Sequence, residues 1–420
     1  MDLSRTKIFI ILILLAISGF ISFVIDFMHI DVNPSYVRFG LDILLLFATI
    51  FSFNIRNSKS LLILIVMFLI ISLVSLFINI NDLEFVYFIN GLRDFMPYFL
   101  FPVLYINIFQ SCNASILRKY MNIFLYIFLI IQIPVSLLQY FAEGAGDTVG
   151  GTLGAGGSGI LSFTVYLSTF YLMIQDFDQK YYFRNIIKKS YLLIFWLPSF
   201  INETKISFLL MIAFFFLLVP LNMKSLFKII LICLLLIPGE LLFERIYTST
   251  TGSSYFNEIL QEDYLNNYMI GVDNMNFSEG LDIPRLTKIS LAIEIQKGEK
   301  FLFGNGIGQF KGGTTLPLTT FATNYQWLLE GSVPLLFFIF IQLGCSGVLI
   351  FMIFWYFLFN CSWQNKLFNY SRNLGLLCTI SFLIIMFYND SLRSLFFCGL
   401  IMYFFVFAGY WKDGKRVINN

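Results

Sequence analysis

A chain of 420 residues that is 58% hydrophobic and 12% charged, with 52 phenylalanines and a mean hydropathy of +0.80, cannot fold around a water-soluble core. Its apolar runs stay continuous for about 15 to 25 residues, which excludes an outer-membrane barrel, whose strands alternate over about ten. The composition therefore predicts an all-α polytopic membrane protein, and the net charge of +2 matters less than where the charges lie.

In chain order, apolar windows predict spans at 8–26, 38–54, 61–79, 87–109, 121–141, 159–175, 190–202, 206–220, 228–243, 332–359, 373–388 and 394–411. The first follows Arg5 and Lys7 as a signal peptide would, but no small-x-small cleavage site follows it and it reads as a retained helix. Twelve spans put both termini on one side. With that side cytoplasmic, the short inner segments hold 17 of the 27 basic residues and the short outer loops hold Arg38, Lys205 and Arg393. The positive-inside rule thus fixes the orientation. Three regions follow: helices one to nine in 1–243, a large extracytoplasmic loop in 244–321, and the last three helices with a cytoplasmic tail in 322–420. The six cysteines imply no disulfide framework, and without a CxxC pair or a Cys/His cluster no metal site is expected.

Three shorter outer features stand out. Pro198, Asn202, Glu203 and Lys205 break one apolar stretch into a hairpin with its tip outside. Asn389-Asp-Ser-Leu-Arg393 makes a second tip, and the stretch from Gly144 to Gly159 carries eight glycines in sixteen residues.

Ionisable groups inside a membrane are costly and usually face the bundle or a water-filled cavity. Asn90, Arg93, Asp94 and Pro97 recur on one helical face, which puts Arg93 roughly 10 Å below the outer surface. Two readings stay open: a structural pair with Asp94 or a neighbouring helix, or a cation beneath an outward-facing cavity. Lys205 and Arg393 lie at outer helix ends, and Arg285 precedes an amphipathic run with Leu286, Ile289 and Ile293 on one face. Four cations converging on one cavity would suit a diphosphate. Taken singly, each reads as an ordinary snorkelling or paired side chain. Gly304-Asn-Gly-Ile-Gly308 lacks the βαβ context of a dinucleotide fingerprint. It is either a turn whose N–H groups approach an anion or sugar closely, or a plain tight turn.

Ile-Pro-Arg285-Leu-Thr-Lys, then Phe301-Leu-Phe-Gly304-Asn-Gly306-Ile-Gly308-Gln-Phe310, then Thr323-Asn324-Tyr325-Gln-Trp-Leu-Leu-Glu330-Gly331 resemble, in residue types and order, the O-antigen polymerase and ligase (Wzy/WaaL-like) family. Asn90-Gly-Leu-Arg93, Gly150-Gly-Thr-Leu-Gly154 and Glu203-Thr-Lys205 resemble its other recurring spots. About twelve helices with one large late extracytoplasmic loop also agree with that family, whose fold resembles GT-C-type glycosyltransferases. Departures favour polymerase over ligase. Thr323 stands where ligases of the family carry a His, and the only histidine, His29, lies in the first outer loop near Asp31. Lys205, a point charge, stands where many members have an Arg fork.

The resemblance implies a bacterial cytoplasmic-membrane glycosyltransferase without a cofactor. A glycan would leave a polyprenyl-diphosphate carrier and join a hydroxyl of a lipid-linked repeat unit at the outer face. Arg93, Arg285, Lys205 and Arg393 would stabilise the departing diphosphate. Glu203, Asp390 and Glu330 are the candidates for activating the acceptor hydroxyl, and Gly304, Gly306, Gly308, Asn324 and Glu330 would line the substrate. The implied partners are polyprenyl-diphosphate-linked oligosaccharides, membrane lipid, a chain-length regulator and a flippase, with no nucleic acid. The rival classes are a ligase, a secondary transporter or flippase of lipid-linked sugars, and a non-catalytic assembly factor. A transporter would show an internal repeat and short loops, and the single large loop after the ninth span argues against it.

Overall fold

The structure is a computed structural model that describes residues 3–26, 29–30, 33–110, 114–144, 146–175, 182–202, 204, 206–218, 283–311, 317–365 and 371–410, with 241, 244–245 and 248–249. The described residues are overwhelmingly helical, with no strand among them. In order come α1 (Leu3–Asp26), α2 (Pro34–Ser52), α3 (Ile55–Ile78), α4 (Phe85–Phe109), α5 (Ala114–Glu143), α6 (Ser158–Ile174) and α7 (Tyr182–Lys188). A 3-10 stretch (Ser190–Trp196) then runs into α8 (Leu197–Ile201), followed by α9 (Ile206–Leu218). After the large loop's undescribed part come α10 (Arg285–Ile295), α11 (Glu299–Phe303), α12 (Thr320–Tyr325), α13 (Leu335–Gln364), α14 (Ser371–Tyr388) and α15 (Leu395–Tyr410). Six of these, α1, α2, α3, α5, α13 and α14, are long and apolar enough to cross a membrane, and the chain is a membrane-embedded helical protein.

Apart from two, the predicted spans overlap described helices, but those at 87–109, 159–175, 206–220 and 394–411 fall on helices outside these six. The seventh, 190–202, is a 3-10 stretch joined to the five-residue α8, because Pro198 cannot donate a backbone hydrogen bond and sits where a helix starts. The ninth, 228–243, lies outside the described residues apart from Leu241.

Burial separates an inner from an outer set. Every residue from Leu395 to Ala408 of α15 and from Leu161 to Ile174 of α6 is buried. A helix apolar on all sides has no solvated face and belongs at the centre. There Tyr171 and Tyr403 satisfy one another through an OH–OH hydrogen bond of 2.7 Å. The outer helices instead expose apolar side chains, such as Phe47 and Phe51 on α2, Ile70 and Phe77 on α3, and Ile127 and Ile130 on α5. Lipid is the medium in which such exposure has no hydrophobic cost.

Irregular backbone at membrane depth must find protein partners, and two places show how. The first is a break in α13 at Gly344, whose φ is +63°. The carbonyls just before the break accept from outside their own helix. Gln296 Nε2 donates to Phe340 at 2.9 Å and Ile341 at 2.7 Å, Asn305 N donates to Ile341 at 2.9 Å, and Gly306 N donates to Gln342 at 3.1 Å. A side chain at Gly344 would be strained at that φ, and its Cβ would lie 2.5 Å from the Leu302 carbonyl carbon. The second place is the glycine-rich stretch after α5. Gln139 and Gln132 of α5 each use both ends of the amide, Gln139 on the backbone of Gly151 and Gln132 on Thr152, holding the buried 3-10 turn Gly151–Leu153.

Replacing Gln296 with Leu keeps the volume and removes the donor to two buried carbonyls. The expected loss is about 1 to 3 kcal/mol, read as a lower melting midpoint of the detergent-purified protein. Gln326→Leu, at an exposed position, leaves the midpoint unchanged. Equal midpoints for the two variants would refute the role of Gln296.

Candidate functional site

A set of ionisable residues gathers at the end of the bundle where α2 and α4 begin and where α14 turns into α15. On α2, Arg38 and Asp42 are one turn apart, and Arg38 Nε donates to Asp42 Oδ1 at 3.0 Å. Arg93 of α4 reaches the other oxygen, with Nε at 3.1 Å and Nη2 at 3.0 Å from Asp42 Oδ2, and its Nη1 donates to Asn90 Oδ1 at 2.9 Å. One carboxylate thus holds two guanidiniums side by side. Pro97 follows one turn below Arg93 and cannot donate to its carbonyl, which loosens α4 at this level.

Asp94, the next residue, faces a different set of partners. Lys311 Nζ lies 2.9 Å from it and Arg393 Nη2 lies 3.7 Å from it. Arg393 comes from the 3-10 turn Ser391–Arg393, where its Nη1 also donates to Asp390 Oδ2 at 2.7 Å. Its guanidinium stacks over the Phe338 ring at 3.9 Å, worth about 1 to 2 kcal/mol where partly desolvated. Burial opposes the charge of Arg393, yet Asp94 and Asp390 beside it hold its pKa above the usual guanidinium range. Its Nε–H has no hydrogen-bond partner among the described residues. Arg38 Nη1 closes the circuit by donating to the Arg393 carbonyl at 3.3 Å.

Arg285, at the start of α10, joins the same turn. Its Nε donates to the Tyr388 carbonyl at 2.8 Å and its guanidinium lies 4.5 Å from the Tyr388 ring centre. Of the four cations expected to meet, Arg93, Arg285 and Arg393 are therefore linked through α2 and the 388–393 turn. Glu203 and Lys205 lie outside the described residues, but their neighbour Asn202 is fixed by Nδ2 bonds to the Ser158 carbonyl (3.0 Å) and Ser162 Oγ (3.3 Å) at the start of α6. The 389 turn touches the same helix start, where a Cβ at Gly159 would sit 2.7 Å from Asn389 Nδ2. The three short features expected on the outer side thus meet at one point.

Arg93 is bonded to Asp42 of the neighbouring helix, one of the two partners that its structural reading allows. Other expected positions read differently. The Gly304–Gly308 turn is buried, and the amides of Asn305, Gly306 and Gly308 all donate to Ile341 or Gln342 of α13, Gly308 N to Gln342 Oε1 at 2.9 Å. The amides that would cradle an anion are committed, and the turn acts as a packing wedge. Gly308 crosses α4 at Gly91, where a Cβ on Gly91 would lie 2.5 Å from the Gly308 Cα. This crossing delivers Lys311 to Asp94, one turn further along α4. Asn324 and Glu330 are exposed, and what Glu330 supplies is its carbonyl, to Lys288 Nζ. Thr323 Oγ1 donates to the Thr319 carbonyl within its own turn, and His29 is exposed at φ +52°.

The sequence reading missed Arg38, Asp42 and Lys311 as members of the cluster. For the first two a signal existed, since Asp42 lies inside a predicted span, where a carboxylate is costly, one turn after Arg38 at the span's outer end. Lys311 carries none, because only the Gly91–Gly308 crossing brings it in.

No family model and no curated protein matches the chain.

If Asp42 holds the two guanidiniums together, Asp42→Asn and Arg38→Gln are not additive. The double variant is expected to be more stable than the sum of the single losses by at least about 0.5 kcal/mol, measured by thermal unfolding in detergent. Additivity within error would show that Arg38 and Asp42 act independently.

Proposed function

We propose that the protein is a repeat-unit polymerase of a bacterial surface polysaccharide, built as a twelve-helix membrane protein with both termini cytoplasmic and this cluster at the outer face. The observation that supports the reading most is the meeting of Arg38, Arg93, Arg393, Lys311 and Arg285 at one end of the bundle, against three carboxylates, Asp42, Asp94 and Asp390. A cation excess in partly desolvated surroundings stabilises an anion far more than the same charges in water.

In the proposed reaction an acceptor sugar hydroxyl attacks the anomeric carbon of a glycan on polyprenyl diphosphate. The new glycosidic bond forms as the bond to the diphosphate oxygen breaks, and the electron pair leaves with the diphosphate. Arg93, Arg393, Arg285 and, at the hairpin tip, Lys205 are the groups assigned to that developing charge. The hydroxyl proton passes to a carboxylate, with Asp390 of the 388–393 turn, Glu203 and Glu330 as the candidates. No cofactor is invoked. The described part of the large loop, from Ile283 onward, serves to bring Arg285 to the 388–393 turn.

Arg285→Ala is expected to reduce chain extension at least about 100-fold, the scale of losing one donor to a developing oxyanion, while single-repeat glycolipid accumulates and protein abundance is normal. Arg285→Lys keeps the charge without the fork and should retain part of the activity. Unchanged glycan length in Arg285→Ala would remove that residue from the mechanism. Purified protein in detergent, given lipid-linked repeat units, should form longer lipid-linked chains without a sealed membrane. Failure to do so while lipid-linked sugar crosses proteoliposomes would establish a flippase instead.

A further inference from the structure

Between α2 and α4 a cavity of about 290 Å³ opens sideways from the bundle. Arg93 and Asp42 line it together with Phe39, Ile43, Leu46 and Pro97, among other apolar residues of the two helices. Its walls run from Ile89 to Leu100 on α4, about 16 Å of helix, which is the depth of one leaflet of a hydrocarbon core about 30 Å thick. Asp42 and Arg93 sit about two turns in from the end where both helices start, with Phe39 and Ile89 before them and Leu46, Pro97 and Leu100 further along. Phe39, Ile43, Leu46 and Ile89 on its rim are each more than a third exposed, so the opening is toward lipid and not toward the packed interior.

A slot lined by the Arg93 guanidinium, with about 10 Å of apolar α4 wall from there to Leu100, is complementary to a lipid with an anionic head and an extended tail. Arg93 has five N–H groups, and Asp42 and Asn90 do not use them all. Arg38 is held beside it through the same carboxylate. The volume is at the low end for a ligand pocket, where about 300 Å³ is the usual minimum, so it fits the first few units of one chain and not a two-chain phospholipid.

We infer that the α2–α4 groove seats the diphosphate-proximal part of a single isoprenoid chain, with its diphosphate at Arg93 and Arg38. The inference rests on the polymerase reading for the identity of the lipid and adds the route by which that lipid reaches the cluster: laterally, from the outer leaflet.

The test uses the full chain in phosphatidylcholine nanodiscs and equilibrium binding of radiolabelled farnesyl diphosphate. Ile43→Trp and Leu46→Trp fill the groove from positions already facing lipid and are expected to weaken binding at least about tenfold. Leu349→Trp, on the exposed face of α13, leaves it unchanged. Should either tryptophan lower the melting midpoint, Leu46→Phe takes its place. Inorganic diphosphate, farnesol and phosphatidylglycerol each compete at least about tenfold less well than unlabelled farnesyl diphosphate. Absence of binding, normal binding by the filled variants, or equal competition by any of the three overturns the proposal, the last naming a bare anion site, a bare apolar slot or an ordinary lipid contact. A protein that binds in this way yet extends no chain keeps the groove and loses the polymerase reading. One that extends chains while the filled variants bind normally loses the groove alone.

Discussion

The architecture depends on the unfilled carbonyls of a broken helix. Where α13 is interrupted at Gly344, the carbonyls of Phe340, Ile341 and Gln342 must find donors, because lipid offers none and an unsatisfied peptide group there costs several kcal/mol. Gln296, Asn305 and Gly306 supply them, and all three belong to the segment that follows α10. A polar loop is thereby stitched to the middle of an apolar helix. The same stitch carries Gly308 across Gly91 and Lys311 to Asp94, and it anchors the segment whose other end holds Arg285 against the 388–393 turn. The bundle supplies the break, and the break fixes where the loop's charges can go.

Electrostatics at the site follows a related economy. Each guanidinium described there already has a protein partner, so none is stored as a bare buried charge, which would be far costlier than a paired one. The partners are shared: Asp42 serves Arg38 and Arg93, and Asp94 serves Lys311 and Arg393. Sharing leaves positive charge in excess without leaving any single cation unsupported.

How much of this was legible in the sequence depended on the range of the interaction concerned. Helical segments were readable because hydropathy is a local sum, and eight of the twelve predicted windows fall on a single described helix of matching extent, from α1 to α6 and again at α14 and α15. The window at 190–202 overreached because hydropathy does not register the 3-10 geometry before Pro198. Arg93, Arg285 and Arg393 were nameable as candidates, since a charge in an apolar stretch stands out by itself. Their convergence was not, because it depends on Arg38 meeting a carbonyl 355 residues away. The Gly304–Gly308 turn shows the limit best: its glycines are needed for close approach, as expected, but what they approach is Gln342 and Gly91 rather than an anion. Residue type gave the property without the partner.

The bridging position of Asp42 has a consequence for which anions the cluster can hold. An arriving ligand does not meet two empty guanidiniums; it meets two that already bind a tethered carboxylate at 3.0 Å on each side. That carboxylate is an internal competitor at very high effective concentration. A free monocarboxylate offers Arg38 and Arg93 nothing they lack, and must also approach a like charge. A ligand of higher charge with several oxygens can engage the donors Asp42 leaves open without displacing it. On the proposed reading, the acidic residue would work as a threshold that a singly charged anion does not pass.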